Sequence, residues 1–75
     1  MYNPPLQVVA ELDCPTGGVW CLSPDGAIYA WGGAPYLGGA NGKPYFVGRT
    51  AAKLNLVNGQ YQIVATDGAT YGPGF

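Results

Sequence analysis

The chain has 75 residues, 48% of them apolar and only 9% charged, roughly a third of the ~25% usual for soluble domains, with a net charge of -1. This balance excludes the basic face of a nucleic-acid binder, and the aromatic content of 13% with low net charge excludes intrinsic disorder. No apolar run approaches the ~20 residues of a membrane span, and Met1-Tyr2-Asn3-Pro4-Pro5 has neither a charged n-region nor an apolar h-region, so membrane insertion and a secretion signal are not expected.

In chain order the local signals are strand and turn. Leu6 to Glu11, set off by Pro4-Pro5, reads as a first strand; Gly17-Gly18 turns the chain and Val19 to Ser23 forms a second. A two-residue turn at Gly17-Gly18 sets Cys14 opposite Cys21 as a hydrogen-bonded pair with Cα atoms ~5.5 Å apart, within disulfide reach, and the sequence leaves a disulfide and two thiols both open. Asp25-Gly26 reads as a type I′ hairpin turn, because both central residues tolerate positive φ, and Ala27 to Trp31 is the third strand. In that register Leu22 faces Tyr29 and Trp20 faces Trp31 on one side of the ribbon, with Cys21, Ser23, Ile28 and Ala30 on the other. Gly32-Gly33 ends the strand, and Ala34 to Leu37 is expected as a short fourth strand ending at Gly38-Gly39.

After the loop Asn41-Gly42-Lys43-Pro44 the plan returns. Tyr45 to Thr50, Gln60 to Ala65 and Ala69 to Gly72 are the expected strands, and Pro73-Gly74-Phe75 falls where a fourth should begin. The correspondence has a fixed offset of 42 residues: Gly17 onto Gly59, Asp25-Gly26-Ala27 onto Asp67-Gly68-Ala69, Tyr29 onto Tyr71, and Gly32 onto Gly74. The 13 glycines and 7 prolines would interrupt any helix. The fold expected is therefore all-β: one domain over residues 1–75, built from two propeller-blade-like antiparallel β-meander repeats, about 5–39 and about 43–75, the second incomplete at its C-terminus.

Repeats of this length bury their apolar faces against neighbours, and two are too few, so oligomerisation is expected to complete the stack. Propellers close with roughly four to eight blades, which gives a trimer or tetramer, the homotrimer favoured. The incomplete second unit is expected to accept a strand from the next chain. All three cations, Lys43, Arg49 and Lys53, lie in the segment joining the repeats, whereas Glu11, Asp13, Asp25 and Asp67 lie outside it. The asymmetry fits a solvated connecting strand, or charge complementarity between the middle of one chain and the ends of the next.

Little points to catalysis. There is no histidine, Ser23 is the only serine, and the acids are isolated; Asp25 and Asp67 are explained by their Asp-Gly turns. Gly38 to Lys43 faintly resembles a phosphate loop, but Pro44 stands where Ser or Thr belongs and Leu37 where the first glycine belongs. Two cysteines without histidine make no zinc site, so no metal, no cofactor and no catalytic residue is expected. The structural turns are Gly17, Gly18, Asp25, Gly26, Asp67 and Gly68. The residues that remain for contact are aromatic: Trp20, Tyr29, Trp31, Tyr36, Tyr61, Tyr71 and Phe75, with Tyr45 beside them. Such side chains fill the space between blades, anchor subunit interfaces or stack on sugar rings.

The run from Gly18 to Gly38, with its Trp20 strand, Asp25-Gly26 turn, Tyr29-Ala30-Trp31-Gly32 strand and Ala34-Pro35-Tyr36-Leu37-Gly38 ending, resembles the aromatic and glycine-rich repeat of actinobacterial surface and cell-wall-associated proteins and of proteins of their phages. Residues 59–72 match less closely; Val19 stands where the repeat has an aromatic, and Gln62 and Thr70 dilute the second copy. The resemblance implies blade-like units of about four strands in a surface-exposed module, and no chemistry. A surface-type repeat on a chain without a signal peptide is expected in a phage virion, assembled in the host cytoplasm: a non-catalytic minor tail or capsid-surface protein, partnered by itself and other virion proteins, and touching host cell-wall glycan. The alternative is a non-catalytic glycan-binding module of a secreted actinobacterial protein, located in the cell wall.

Overall fold

A computed structural model describes residues 7–75, so Met1 to Leu6, including the start of the expected first strand, lie outside the described residues. The chain forms two three-stranded antiparallel meanders. The first is β1 (Ala10–Asp13), β2 (Val19–Leu22) and β3 (Ile28–Trp31); the second is β4 (Ala51–Val57), β5 (Gln60–Ala65) and β6 (Thr70–Tyr71). One continuous apolar cluster lies between them, drawing Trp20, Leu22 and Ile28 from the first sheet and Ala51, Tyr61, Ile63 and Ala65 from the second. Among the described residues no helix is long and apolar enough to cross a membrane.

Three expectations are corrected at the turns. Cys14 donates its amide to the Gly18 carbonyl at 3.0 Å, so the first loop is longer than the expected Gly17-Gly18 turn. Cys21 stands opposite Glu11 in consequence, not opposite Cys14. The two cysteines also sit on opposite faces, because successive strand side chains alternate and Cys14 belongs to the core cluster, whereas Cys21 is buried outside it. No disulfide joins them.

The Asp25-Gly26 turn is not type I′ either. Ser23 donates to Ala27 O at 3.1 Å and accepts from Gly26 N at 3.0 Å, which encloses Pro24, Asp25 and Gly26 in a three-residue loop with Gly26 at φ +88°. A two-residue loop would close on Pro24, which has no N–H to give; as the second residue of a type I turn its fixed φ suits the site. The register shifts by one, so Trp20 pairs with Ala30 and Cys21 with Tyr29. A slip of one residue exchanges faces. Trp20, Leu22, Ile28 and Ala30 thus share the core side, while Tyr29 and Trp31 go to the other. The type I′ geometry occurs instead at Asn58-Gly59, with φ of +51° and +77°, between paired Val57 and Gln60.

The expected strand over Ala34 to Leu37 is absent, so each meander has three strands. Gly32 and Gly33, both at positive φ, turn the chain off the end of β3, and the Ala34 amide closes the turn on Trp31 O at 3.2 Å. The backbone beyond finds its partners on side chains. The Trp20 indole Nε1 donates to Pro35 O at 2.7 Å, and the Tyr61 hydroxyl accepts from Leu37 N at 2.8 Å and donates to Gly38 O. The expected strand over Tyr45 to Thr50 lies further on, at Ala51–Val57, because Pro44 opens a 3-10 turn through Phe46 and Gly48 then adopts φ +78°.

The 42-residue correspondence is reproduced in detail at the second Asp-Gly turn. Ala65 donates to Ala69 O at 2.8 Å and accepts from Gly68 N at 3.0 Å, as Ser23 does with Ala27 and Gly26. The packing of the two hairpins is nevertheless not that of a two-fold pair. The first presents Trp20, Leu22 and Ile28 to the core; their counterparts Gln62, Val64 and Thr70 lie on the side of β5–β6 away from it. The second presents Tyr61, Ile63 and Tyr71, the counterparts of Val19, Cys21 and Tyr29. Opposite faces of equivalent hairpins therefore meet, head to tail. A bulge between Ala51 and Lys53 keeps β4 consistent with this, since it aligns Leu54 with Ile63 toward the core and turns Lys53 outward beside Val64.

The equivalent turn glycines are not equally replaceable. A Cβ on Gly68 meets nothing within 4 Å, whereas one on Gly26 would lie 3.0 Å from Phe46 Cε2 and 3.1 Å from Ala40 Cβ. Gly68→Ala should cost about 1 kcal/mol for its left-handed φ alone, and Gly26→Ala about 3 kcal/mol with the clash added, as read from urea unfolding midpoints.

Candidate functional site

The aromatic residues singled out in the sequence divide into two populations. Trp20 and Tyr61 are fully buried, one from each sheet, and meet edge to face with ring centroids 4.9 Å apart. Phe75 stacks on the other side of Tyr61 at 5.7 Å, and Tyr71 packs on the same cluster. Trp20, Tyr61 and Tyr71 are brought to the core by the inward faces of β2, β5 and β6, and Phe75 packs against it from the tail beyond β6. Their position is that of core packing between the two sheets.

The second population reaches solvent. Tyr29 and Trp31 share the outer face of the first sheet, Tyr29 with 39% of its surface exposed. Tyr36, 62% exposed, projects from the segment that the Trp20 and Tyr61 hydrogen bonds hold down. Tyr45 is 46% exposed and stacks on Tyr71 at 5.4 Å, while Tyr71 meets Phe46 edge-on at 5.2 Å, so a small aromatic ladder runs from the core to the surface. Val9, Val47 and Leu56 are also exposed, and the sequence reading did not single them out. Leu56 lies two residues from Leu54 on the same face of β4, so strand alternation alone would bury it, and no signal in the sequence marks it as exposed.

The acids at the turns are engaged locally. Asp25 Oδ1 accepts from Ser23 Oγ and from Ala27 N, at 3.1 Å for the amide, and Asp67 Oδ1 accepts from Ala69 N at 3.0 Å. The Ser23 hydroxyl and Ala27 amide hold the Asp25 carboxyl below the ordinary carboxylate range, and the Ala69 amide does so for Asp67, helped by the Arg49 charge. A carboxylate with a depressed pKa is a poor proton acceptor near neutrality. Arg49 pairs with Asp67 at the surface and links the 47–50 segment to the second Asp-Gly turn. Val47, Gly48, Arg49, Thr50, Thr66 and Asp67 line an open cleft of about 360 Å³ across this pair. The cleft holds hydroxyls and an ion pair, with no nucleophile set against a base. Among the described residues no group of three His, Cys, Asp or Glu side chains converges as a metal site.

Gly17 and Gly18 both adopt positive φ in the first loop, and Gly18 lies against the β3 end, where a side chain would strike Trp31 O and Ala34 N. The turn residues therefore serve the fold. The candidate functional surface consists of the two outward sheet faces and the exposed tyrosines Tyr29, Tyr36 and Tyr45. No protein-family model matches this chain, and neither a curated protein nor a solved structure matches it.

The Tyr61 phenol gives this arrangement a pH signature. Burial pushes its pKa up from 10.0 to about 12, with the hydrogen bond from Leu37 opposing the shift. The unfolded chain releases this proton first as pH rises, so the contribution of Tyr61 is fully present below pH 10 and declines between 10 and about 12. The depressed Asp25 and Asp67 act in the opposite sense: their contribution is present above the unfolded carboxylate range, about pH 4, and is lost as pH falls through their folded values. Urea midpoints measured from acid to alkali should fall at both ends. Tyr61→Phe should flatten the alkaline arm while lowering stability by about 1–3 kcal/mol at neutrality, since Leu37 N and Gly38 O lose their partner.

Proposed function

We propose that this chain is a non-catalytic structural protein that acts by self-assembly, as a minor tail or capsid-surface component of a phage virion that forms a ring-like homo-oligomer, the homotrimer favoured. The observation that carries the structural role is the head-to-tail stacking of two equivalent hairpins about one core. Units stacked this way end in two unlike faces, which suits closure into a ring by repetition, as in a propeller whose blades come from several chains. The scarcity of charge, 9% of residues, supports buried subunit contacts. The virion setting is supported by the resemblance of residues 18–38 to repeats of actinobacterial phage and surface proteins. The turn-bound carboxylates support a role without chemistry.

A glycan-binding role in the cell wall is the second reading, favoured by Tyr36 and Tyr45, whose exposed rings offer stacking surfaces outside the core. Immunogold labelling of gradient-purified particles separates the two. The chain should decorate particles at a regular position; its absence from particles whose genome encodes it would overturn the virion reading. On the second reading it should sediment with purified peptidoglycan or arabinogalactan, and Tyr36→Ala should abolish this with the fold intact.

A further inference from the structure

The two Asp-Gly turns share a backbone and differ in what they leave free. In the first, Asp25 is satisfied within the turn, by the Ser23 hydroxyl and the Ala27 amide. The turn is also covered: Gly26 packs against Phe46 and Ala40, and the Pro24 carbonyl accepts from Ala51 N at 2.8 Å. In the second, Ala65 stands in place of Ser23 and Thr66 in place of Pro24. Asp67 therefore gives Oδ1 to the Ala69 amide and keeps Oδ2 for Arg49, and a Cβ added to Gly68 would meet nothing within 4 Å.

Beside that pair lies the open cleft of about 360 Å³, at the small end of the ~300–1,000 Å³ typical of ligand clefts. All the residues that line it are exposed, so no described residue covers it. Its donors and acceptors are not used up within the fold. Thr50 and Thr66 are joined through their backbones, Thr66 N to Thr50 O at 2.8 Å, and neither hydroxyl has a partner among the described residues. Arg49 gives one guanidinium N–H to Asp67 and keeps the others, and each Asp67 oxygen keeps a lone pair. Val47, at 79% exposure, adds an apolar wall.

This set of groups selects a chemical class. A lone carboxylate or guanidinium would draw a charged ligand, but here the two are in contact and offset each other, so neither sign of charge is favoured. What remains is a guanidinium donor beside a carboxylate acceptor, with two hydroxyls that can do either. Neighbouring hydroxyls of a sugar ring match this pattern, one accepting from Arg49 while the next donates to Asp67, and the C–H face of the ring can lie on the Val47 methyls. A cleft of this size takes a single ring.

We propose that the cleft between the 47–50 segment and the second Asp-Gly turn binds one pyranose unit of a neutral saccharide, through Arg49, Thr50, Thr66 and Asp67. This goes beyond both readings of the function, which assign nothing to the cleft and rest on other residues.

Titration of the isotope-labelled full chain, followed by amide NMR, tests this with methyl α-mannopyranoside, methyl α-glucopyranoside and N-acetylglucosamine as probes. At least one probe should give saturable shifts at Gly48, Arg49, Thr50 and Asp67, with a dissociation constant in the millimolar range. Cyclohexanol, a ring with a single hydroxyl, and alanine, a zwitterion matched to the ion pair, should not. Thr50→Val and Thr66→Val, both isosteric at exposed positions, should each weaken binding about fivefold, and Asp67→Asn, which keeps an acceptor for the Ala69 amide, about tenfold. No saturable shift with any sugar, shifts centred on other residues, an equal response to cyclohexanol or alanine, or threonine variants that bind like the parent would overturn the site. Particle labelling and wall sedimentation decide the readings of the function separately, so failure here leaves both standing.

Discussion

The contact between Trp20 and Tyr61 is the point on which the rest of the molecule turns. The two rings are fully buried and come from different sheets, so their edge-to-face meeting joins the halves of the chain in the core, as the hydrogen bond from Ala51 N to Pro24 O at 2.8 Å joins their backbones. Both also carry a polar atom into the core, and an unsatisfied polar atom there costs about 1–3 kcal/mol. The connecting segment supplies the partners: Pro35 O for the indole, Leu37 N and Gly38 O for the phenol. Those three backbone groups are in turn satisfied without a strand neighbour. One aromatic pair thus explains the contact of the sheets, the path of the linker between them and the absence of a fourth strand at Ala34 to Leu37.

That pair exists only because the first hairpin has the register it has. With a two-residue turn at Asp25-Gly26, Trp20 would share a face with Trp31, and Tyr29 would stand beside them, which is the aromatic ribbon a reading of Asp-Gly alone suggests. Pro24 favours the longer loop, since it lacks the amide proton that a two-residue loop would use. It is not the whole cause, because Thr66 at the equivalent position heads the same three-residue loop. A two-residue Asp-Gly turn gives the strands at Val19 to Ser23 and Ala27 to Trp31 nearly their true bounds, but sets Tyr29 and Trp31 on the face of Trp20 and Leu22, where Ile28 and Ala30 stand.

The same contrast holds elsewhere. The all-β class, the 42-residue correspondence and β5 over Gln60–Ala65 were legible, because alternation and glycine-bearing turns are local properties. The position of β4 was not, because Tyr45 to Thr50 has strand-forming residues that Pro44 and Gly48 override through backbone geometry. The aromatic site was half legible. Residue type marked Trp20, Tyr61, Tyr71 and Phe75 as contact residues, but whether an aromatic faces a core or a partner depends on strand parity, which a single bulge or one extra loop residue inverts. The bulge between Ala51 and Lys53 is invisible in composition, yet it decides that a leucine points in and a lysine out.

The repetition in the sequence therefore has a different meaning in three dimensions than an equal pair of units would have. Duplicated hairpins related by a two-fold axis would bury the same face twice and leave two identical backs, a closed dimer within one chain. Here equivalent hairpins bury opposite faces, so the divergence between the copies acquires a direction. The aromatic face of the first hairpin is spent inside the chain on Tyr61, Ile63 and Tyr71, where it can hold the fold together at any concentration. The diluted face of the second, with Gln62, Val64 and Thr70, is left outside, where a surface as apolar as Trp20, Leu22 and Ile28 would be an aggregation hazard in a monomer.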